Sequence, residues 1–278
     1  MVIPVGSLDD PRLDDYRNVP DPELMVRRGL FIAEGRHVVR RLLTSRFRIR
    51  TVLLTPAARH ALADVVEASR DLPTYIVEQE VMNGVTGFNM HGGCLAVGER
   101  PSPARVEDVT HDAARIVVLE RVSNADNVGA IFRNAAAFGA GAVLLGPSCA
   151  DPLYRKAIRT SMGAALHVPF AMLNDWPTDL ERLRAAGFTL LALTPDETAP
   201  PMQRVTLGSV ERVALLVGHE GEGLSRQALA IADARVRIPM AAGVDSLNVA
   251  TATAVALYAL AERREQGSGS RDVSGTRS

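Results

Sequence analysis

The chain has 278 residues, of which 47% are hydrophobic and 23% are charged, and its formal net charge at pH 7 is −1. These values are typical of a soluble globular protein and exclude a disordered or collagen-like chain. The two cysteines, Cys94 and Cys149, belong to no paired-cysteine motif, so neither a disulfide framework nor a zinc site is expected. The longest mostly apolar stretch, Val249 to Ala261, is shorter than the roughly 20 residues of a membrane helix. We therefore expect a protein of the reducing cytoplasm with no membrane partner.

The first part of the chain alternates strand-like and helix-like segments. Strands are predicted at 31–35 (FIAEG), 51–55, 74–77 and 94–99, and helices in RHVVRRLL and PAARHALADVVEA. This alternation predicts a mostly parallel sheet with helices on its faces. A proline-bearing stretch at 100–104 follows, so we predict an N-terminal α/β domain over residues 1–105.

The second part of the chain shows the same alternation and predicts a second α/β domain over residues 106–266. Strands are predicted at 115–120, 142–146, in HVPFAM, and at 189–194, 213–218 and 235–240. Helices are predicted over about 126–138, in YRKAIRTSMGAAL and DLERLRAAG, and from about 247 to 264. The remaining segment, 267–278, contains mainly small polar residues and is predicted to be a disordered tail.

Two glycine-containing turns do not fit the common nucleotide-binding patterns. The strand–turn–helix at 115–138 has one glycine in its turn (VSNADNVG), whereas the dinucleotide fingerprint needs G-x-G-x-x-G at that point. The glycine run at 218–223 has the wrong spacing for a P-loop. No H-x-x-x-H pair or carboxylate cluster suggests a metal. Because the turn at 115–138 lacks the dinucleotide fingerprint, a nicotinamide-dependent Rossmann enzyme is not indicated either.

Polar residues follow the ends of several predicted strands, where open α/β sheets bind ligands. They are Asn124, Asn127 and Arg133 after the first strand of the second domain, the run 218–221, and the run 246–248. On a helical wheel, Arg133 lies nearly opposite an apolar stripe. By periodicity alone these are turn and capping residues.

Three of these stretches resemble the motifs of one enzyme family. Residues 124–139, 216–225 and 238–254 resemble the three motifs of the SpoU/TrmH family, which comprises S-adenosylmethionine-dependent RNA ribose 2′-O-methyltransferases of the SPOUT superfamily. A fourth stretch, 159–169, resembles the family's R-x-S-x-G-A sequence, and the match extends over roughly 113–265. The first domain resembles, through FIAEGRHVVRRLL and HGGCLAV, the ribosomal-protein-like substrate-binding domain of many members.

The resemblance implies a fold and an assembly that periodicity does not. The C-terminal domain is expected to be a SPOUT methyltransferase domain with a mostly parallel sheet and a trefoil knot made by its last helix, although knots are rare. The smaller ribosomal-protein-like domain precedes it. Family members are homodimers with the active site at the subunit interface, so a homodimer is expected here as well.

The resemblance also implies roles for individual residues. The expected catalytic residues are Arg133, Asn127, Glu220, Ser246 and Asn248, and the expected cofactor-binding residues are Leu193, Thr194, Gly218, Ile238 and Leu247. In the family, the arginine equivalent to Arg133 is proposed as the base. Because the pKa of arginine lies above about 12, we favour phosphate binding and stabilisation of the developing alkoxide. His219 is given no catalytic role.

The N-terminal domain has a basic segment, with eight arginines and one acid between Leu24 and Arg50. In the predicted helix at 36–43, Arg36, Arg40 and Arg41 lie opposite the apolar side. Such a face suits RNA phosphates, and binding there would weaken steeply with salt. An ordinary solvated helix face would show the same pattern.

The sequence thus predicts metal-free transfer of a methyl group from S-adenosylmethionine to a ribose 2′-hydroxyl of structured RNA. Ribosomal RNA is the first choice of substrate, because of the additional N-terminal domain, and transfer RNA is the second. The sequence also leaves open methylation of a base, and a non-catalytic RNA-binding protein that retains the fold.

Overall fold

The computed structural model describes residues 1–17, 20–204 and 212–268, with side chains up to residue 261. The chain divides into two compact units. The first unit comprises Met1–Pro103 and Asp151–His167, and the second comprises Ala104–Ala150 and the chain from Val168 onward. The sequence-based division assigns 151–167 to the second domain and places the boundary after residue 105, whereas the contact-based units place 151–167 in the first unit and the boundary after Pro103.

Eleven strands and eleven α-helices are present in the described residues. The strands are β1 (Val2–Pro4), β2 (Leu30–Glu34), β3 (Ile49–Leu54), β4 (Thr74–Ile76), β5 (Cys94–Glu99), β6 (Arg115–Leu119), β7 (Ala142–Leu145), β8 (Phe170–Met172), β9 (Thr189–Leu193), β10 (Val213–Val217) and β11 (Ala234–Val236). The helices are α1 (Asp21–Arg28), α2 (Arg36–Leu43), α3 (Pro56–Ala61), α4 (Ala63–Ala68), α5 (Gln79–Thr86), α6 (Val106–Thr110), α7 (Ala125–Ala137), α8 (Arg155–Thr160), α9 (Thr178–Ala185), α10 (Arg226–Ile231) and α11 (Val249–Ser268).

The sheet of the first unit is mixed. Its strand order is β1-β4-β3-β5-β2, and β5 runs antiparallel to both β2 and β3. The prediction of a mostly parallel sheet in this block is confirmed in part: β1, β2, β3 and β4 run in the same direction, and β5 is reversed. The backbone NH of Gly35 donates to Cys94 (3.2 Å) and that of Thr55 to Gly93 (2.8 Å), so β5 begins at the carboxyl ends of β2 and β3. Because β5 begins at that edge, it has to run back through the sheet against both neighbours.

Two predicted helices of the first unit are shorter than expected. The segment PAARHALADVVEA is divided at Leu62 into α3 and α4. The predicted helix in YRKAIRTSMGAAL ends at Thr160, because Met162 (φ 53°) and Gly163 (φ 80°) adopt left-handed backbone conformations. A short 3-10 helix follows them.

The sheet of the second unit is fully parallel, with the order β11-β9-β10-β6-β7-β8. The apolar runs RIVVL and VALLV form its two central strands, β6 and β10, as expected for strands that are covered on both faces. From β6 the chain adds β7 and β8 towards one edge, whereas β9 and β11 lie on the far side of β10. The point between β6 and β10 is therefore a topological switch point, where α/β sheets bind ligands.

Two helices of the second unit frame this switch point. The buried stripe of α7 comprises Val128, Ile131, Phe132 and Ala135, as the helical wheel predicts. The Asn134 amide of α7 donates to the Ala250 carbonyl of α11 (2.8 Å). Helix α11 includes residues 267–268, which were predicted to begin the disordered tail; residues 269–278 lie outside the described part of the chain. The trefoil knot stays a prediction.

Candidate active site

A cavity of about 270 Å³ lies at the carboxyl ends of β9, β10 and β11. Its walls include the five residues that were predicted to bind the cofactor: Leu193, Thr194, Gly218, Ile238 and Leu247. Glu220 and Ser246 also line it. The fold thus gathers residues from β9, from the loop after β10 and from the loop after β11 around one cavity, close to the lower end of the usual size range of ligand pockets.

Gly218 is the position where the cavity wall has no room for a side chain. A Cβ atom built there would lie 2.2 Å from the Gly223 carbonyl carbon and 2.3 Å from the Leu224 nitrogen. The loop returns so closely because His219 and Gly223 form a two-way backbone bridge, with N···O distances of 3.1 and 2.9 Å. A glycine is required because the obstacle is backbone, which cannot move aside as a flexible side chain can.

Three predicted site residues are joined by side-chain hydrogen bonds. The Asn248 amide nitrogen donates to Asn127 Oδ1 (2.9 Å), and the Asn127 amide nitrogen donates to Glu220 Oε1 (2.6 Å). Asn127 lies in the first turn of α7, which follows β6, and Glu220 follows β10, the strand paired with β6. The polar chain therefore crosses the switch point and links all three motifs beside the cavity.

The capping roles expected for the neighbouring residues are partly present. Asn124 is the N-cap of α7 and accepts from the Asp126 NH (2.9 Å). Asn248 Oδ1 accepts from the Ala250 NH (2.9 Å) and the Thr251 NH (3.3 Å), so it caps α11 while its amide nitrogen binds Asn127. Ser246 was also expected to act as a cap, but it lies three residues before α11, and it caps no NH in the described residues.

Arg133 stands apart from the polar chain. Its side chain is exposed on α7, it does not line the cavity, and it forms no hydrogen bond or ion pair with any described residue. The structure therefore does not bring Arg133 together with Glu220, Ser246 or the cofactor-binding residues of the same chain. A free guanidinium at this position is available to an anionic ligand.

Sequence reasoning missed two residues that hold the loop after β10. The His219 Nδ1 atom accepts from the Gly221 NH (3.0 Å) and the Glu222 NH (3.1 Å), which folds the loop around Glu220. Glu120, which is only 2% exposed, accepts from the Ser225 NH (2.7 Å) at the other end of the loop. A carboxylate directly after the apolar run RIVVL was the available signal for Glu120. No signal identified His219 beyond its place between glycines.

The electrostatics around the site keep the nearby thiol inert. Burial, together with the neighbouring Glu120 and Glu220 carboxylates, raises the pKa of Cys149 to about 11. Because a protonated thiol is a poor nucleophile, Cys149 is not a candidate for covalent catalysis at neutral pH. In the part of the chain that the structure describes, no group of three or more His, Cys, Asp or Glu side chains is arranged to hold a metal ion.

The three arginines predicted to bind RNA differ in their surroundings within the first unit. Arg36 is exposed, and its Nε donates to the Gly92 carbonyl (3.3 Å). Arg41 is also exposed. The guanidinium of Arg40 binds both carboxylate oxygens of Asp64 and lowers the pKa of that carboxyl group. Arg40 is thus already engaged, so a bound anion would compete with Asp64 for it.

Comparisons with known proteins agree with this geometry. Residues 114–258 match the SpoU rRNA Methylase family model, and residues 26–96 match an MRM3-like substrate binding domain. An uncharacterized tRNA/rRNA methyltransferase of Mycobacterium bovis is 47% identical over 266 residues, which cover 93% of this chain and 90% of the relative. The 23S rRNA (guanosine(2553)-2′-O)-methyltransferase RlmP of Bacillus subtilis is 26% identical over 92% of this chain and 98% of its own. The crystal structure of an AdoMet-bound rRNA methyltransferase from Sinorhizobium meliloti superposes with a TM-score of 0.81 at 28% identity, covering 95% of this chain and 98% of that chain.

The parallel sheet, the cavity at its switch point and these relatives define the class of the protein, an RNA methyltransferase. Within that class, the chain belongs to the SpoU rRNA methylase family, which confirms the resemblance that its motifs indicated. The match over 26–96 likewise confirms the substrate-binding domain expected in the first part of the chain.

The role of His219 leads to a first prediction. Replacing it with alanine leaves two loop NH groups without their acceptor, so we expect Glu220 to shift and methyl transfer to slow by about tenfold or more. The His219→Asn variant keeps an oxygen acceptor near both NH groups and is expected to stay within about threefold of the wild-type rate. Initial rates with labelled S-adenosylmethionine measure both variants. Equal losses in alanine and asparagine variants of unchanged thermal stability would contradict this role.

Proposed function

We propose that this protein transfers the methyl group of S-adenosylmethionine to a ribose 2′-hydroxyl of ribosomal RNA. The observation that carries the proposal is the hydrogen-bonded chain Asn248–Asn127–Glu220 beside the cavity, which unites the three family motifs at the switch point. The name of the RlmP relative, a 2′-O-methyltransferase of 23S rRNA that aligns with 92% of this chain, supports the same reaction and substrate.

The cavity suits S-adenosylmethionine in its chemistry. Leu193, Ile238 and Leu247 provide apolar surface for a flat heterocycle. Gly218 lets the backbone after β10 come close to the ligand. When bound, S-adenosylmethionine supplies an electrophilic methyl group on its sulfonium sulfur. The protein's own contribution is to hold that group and to place the polar chain next to the entering ribose.

Arg133 is proposed to act on the RNA and not on the cofactor. Its guanidinium is exposed and has no ion-pair partner among the described residues, so it can bind a phosphate next to the target ribose and stabilise the negative charge that develops on the 2′-oxygen. A neutral arginine base is disfavoured because the pKa of the side chain lies above about 12. Glu220 and Asn127 then serve to orient the site, and Ser246 and Asn248 complete its polar wall. We propose that no metal takes part.

A second copy of the chain is proposed to complete the site. Val244 (48% exposed), Leu247 (37%) and Val255 (39%) are large apolar side chains at or near the start of α11. An apolar surface beside a ligand cavity suits an interface with another subunit. Because Arg133 does not line the cavity of its own chain, a homodimer with the active site at the interface would bring such an arginine to the RNA that enters the partner's site.

None of the helices in the described ranges is long and apolar enough to cross a membrane. We propose that the enzyme acts in the cytoplasm on ribosomal RNA, with the first unit binding the substrate through exposed arginines such as Arg36 and Arg41. The contribution of Arg40 is proposed to be smaller, because Asp64 already binds it.

The test is methylation of RNA from a strain that lacks the gene, so that the target nucleotide is unmodified. Separated rRNA and tRNA pools are incubated with the purified protein and labelled S-adenosylmethionine and then digested to nucleosides. We expect label in a 2′-O-methylnucleoside from rRNA. Label in tRNA would show that the substrate is tRNA and not rRNA. Label on a base would show that the protein methylates a base and not a ribose 2′-hydroxyl. No label in either pool, with S-adenosylmethionine binding measured directly, would leave a non-catalytic RNA-binding protein.

A further inference from the structure

The first unit contains a group of basic residues without acidic partners. Many of its arginines lie within 4.0 Å of a carboxylate, as Arg40 does with Asp64 and Arg48 with Glu99. Arg41 and Arg46 are exposed, and neither forms an ion pair with any described residue. Unbalanced positive charge that solvent can reach attracts anionic ligands.

Arg41 is packed against the left-handed turn at Met162 and Gly163. A Cβ atom built on Gly163 would lie 3.0 Å from Arg41 Cδ and 3.3 Å from Arg41 Cβ, so the aliphatic stem of the arginine rests on the glycine. Because the stem is supported in this way, the guanidinium at its end loses less freedom when it binds a ligand.

A third basic residue, His167, lies near Arg41 and Arg46. It is the C-cap of the 3-10 helix Ala164–Leu166 that follows Gly163, and its backbone NH donates to the Ala164 carbonyl (2.9 Å). Burial lowers the pKa of His167, and the nearby positive charges of Arg41 and Arg46 lower it further. Arg41 contacts Gly163, His167 ends the short helix that follows Gly163, and Arg46 comes three residues after the end of α2. We call these three basic residues, Arg41, Arg46 and His167, the Arg41 cluster.

The segment that carries this turn is fixed within the first unit. Asp21 accepts from the Arg155 NH (2.9 Å) and the Arg155 Nε (2.6 Å), and Arg100 pairs with Asp151 (2.6 Å). All four side chains are at most 29% exposed. The cluster is thus built on an anchored segment, which reduces the cost of ordering it around a ligand.

We propose that the Arg41 cluster is a binding subsite for backbone phosphates of the RNA substrate. This inference rests on the proposed function and deepens it. It moves the RNA contact from the outward face of α2, where Arg36, Arg40 and Arg41 were predicted to act together, to the junction of α2 with the turn at Gly163. A guanidinium pair with a neighbouring imidazole recognises a phosphodiester through charge and several NH donors.

The test compares two double variants of the full-length protein that remove the same charge. Arg41→Gln/Arg46→Gln removes arginines that form no ion pair with a described residue, whereas Arg27→Gln/Arg48→Gln removes arginines that already have acidic partners, Glu23 and Glu99. The probe is 23S rRNA transcribed in vitro, and its dissociation constant is measured by filter binding between 50 and 300 mM KCl. Thermal unfolding checks that both proteins are folded.

We expect Arg41→Gln/Arg46→Gln to lose about tenfold or more in affinity at low salt, with a salt slope about 1.5 to 2 smaller in magnitude, as for the loss of two phosphate contacts. In the control double variant, the magnitude of the salt slope should decrease by less than half of that amount. Equal effects of the two pairs, or an unchanged slope in the first, would overturn the subsite. Because binding is measured without methyl transfer, a protein that binds in this way but methylates no RNA would refute the proposed function and leave the subsite standing.

Discussion

Replacing Arg133 with alanine is expected to lower the rate of methyl transfer to rRNA by about 10²–10³-fold, the usual cost of removing a charge-stabilising group from an active site. The dissociation constant of S-adenosylmethionine should change by less than about twofold, because Arg133 does not line the cavity. The fold should also be unaffected, since the side chain is exposed and forms no ion pair with a described residue.

The lysine variant separates the two roles that an arginine can have here. If Arg133 supplies only positive charge, Arg133→Lys should retain a measurable part of the activity. If the planar guanidinium must donate two hydrogen bonds to one phosphate, Arg133→Lys should transfer the methyl group nearly as slowly as Arg133→Ala. Single-turnover rates and isothermal titration with S-adenosylmethionine measure the two effects separately.

A matched control is available in the same unit. Arg184 is an exposed arginine on α9, 3.9 Å from Asp233, and no feature of the site involves it. Its alanine variant is expected to keep the wild-type rate. An Arg133→Ala protein that stays within threefold of the wild type would refute the role assigned to this arginine, whatever the result with Arg184.

The architecture of the second unit could be predicted well because its strands are continuous apolar runs. VALLV is buried along its whole length and RIVVL everywhere except at Arg115, and such runs are typical of parallel strands covered by helices. Strand direction in the first unit was not predictable in this way. The antiparallel course of β5 depends on where the turn after α5 meets Gly35 and Thr55, which is a tertiary contact.

The candidate site also has features that the sequence predicts and features that depend on tertiary contacts. Of the residues that the motifs predicted to form one site, Asn127, Glu220 and Asn248 are hydrogen bonded at one edge of the sheet, whereas Arg133 lies apart from them. The bond between Asn127 and Glu220 joins residues 93 positions apart, so only the pairing of β6 with β10 explains it. The support that His219 gives to the loop NH groups has no periodic signature, because it depends on the local fold of a glycine-rich turn.

The largest effect on the cofactor site is expected from Gly218→Ala. The new methyl group would lie 2.2–2.4 Å from three backbone atoms of Gly223 and Leu224, so the loop after β10 has to move away from the strand end. Overpacking of this kind usually costs about 1–3 kcal/mol, and this case should reach the upper end because backbone cannot rotate aside. A loss of about 3 kcal/mol corresponds to a fall in Tm of roughly 6–12 °C for a chain of this size class.

The displaced loop carries Glu220 and forms one wall of the cavity, so affinity for S-adenosylmethionine is expected to fall by about tenfold or more, a cost of about 1.4 kcal/mol in binding. Gly221→Ala is the matched control, because a Cβ there meets only the His219 ring at 3.5 and 3.6 Å, which is ordinary contact. Its Tm should stay within about 2 °C of the wild type. Differential scanning calorimetry and titration with S-adenosylmethionine test both variants. If Gly218→Ala kept the wild-type Tm and affinity, the close approach of the loop to the end of β10 would be wrong, and with it the reason for a glycine at the cavity wall.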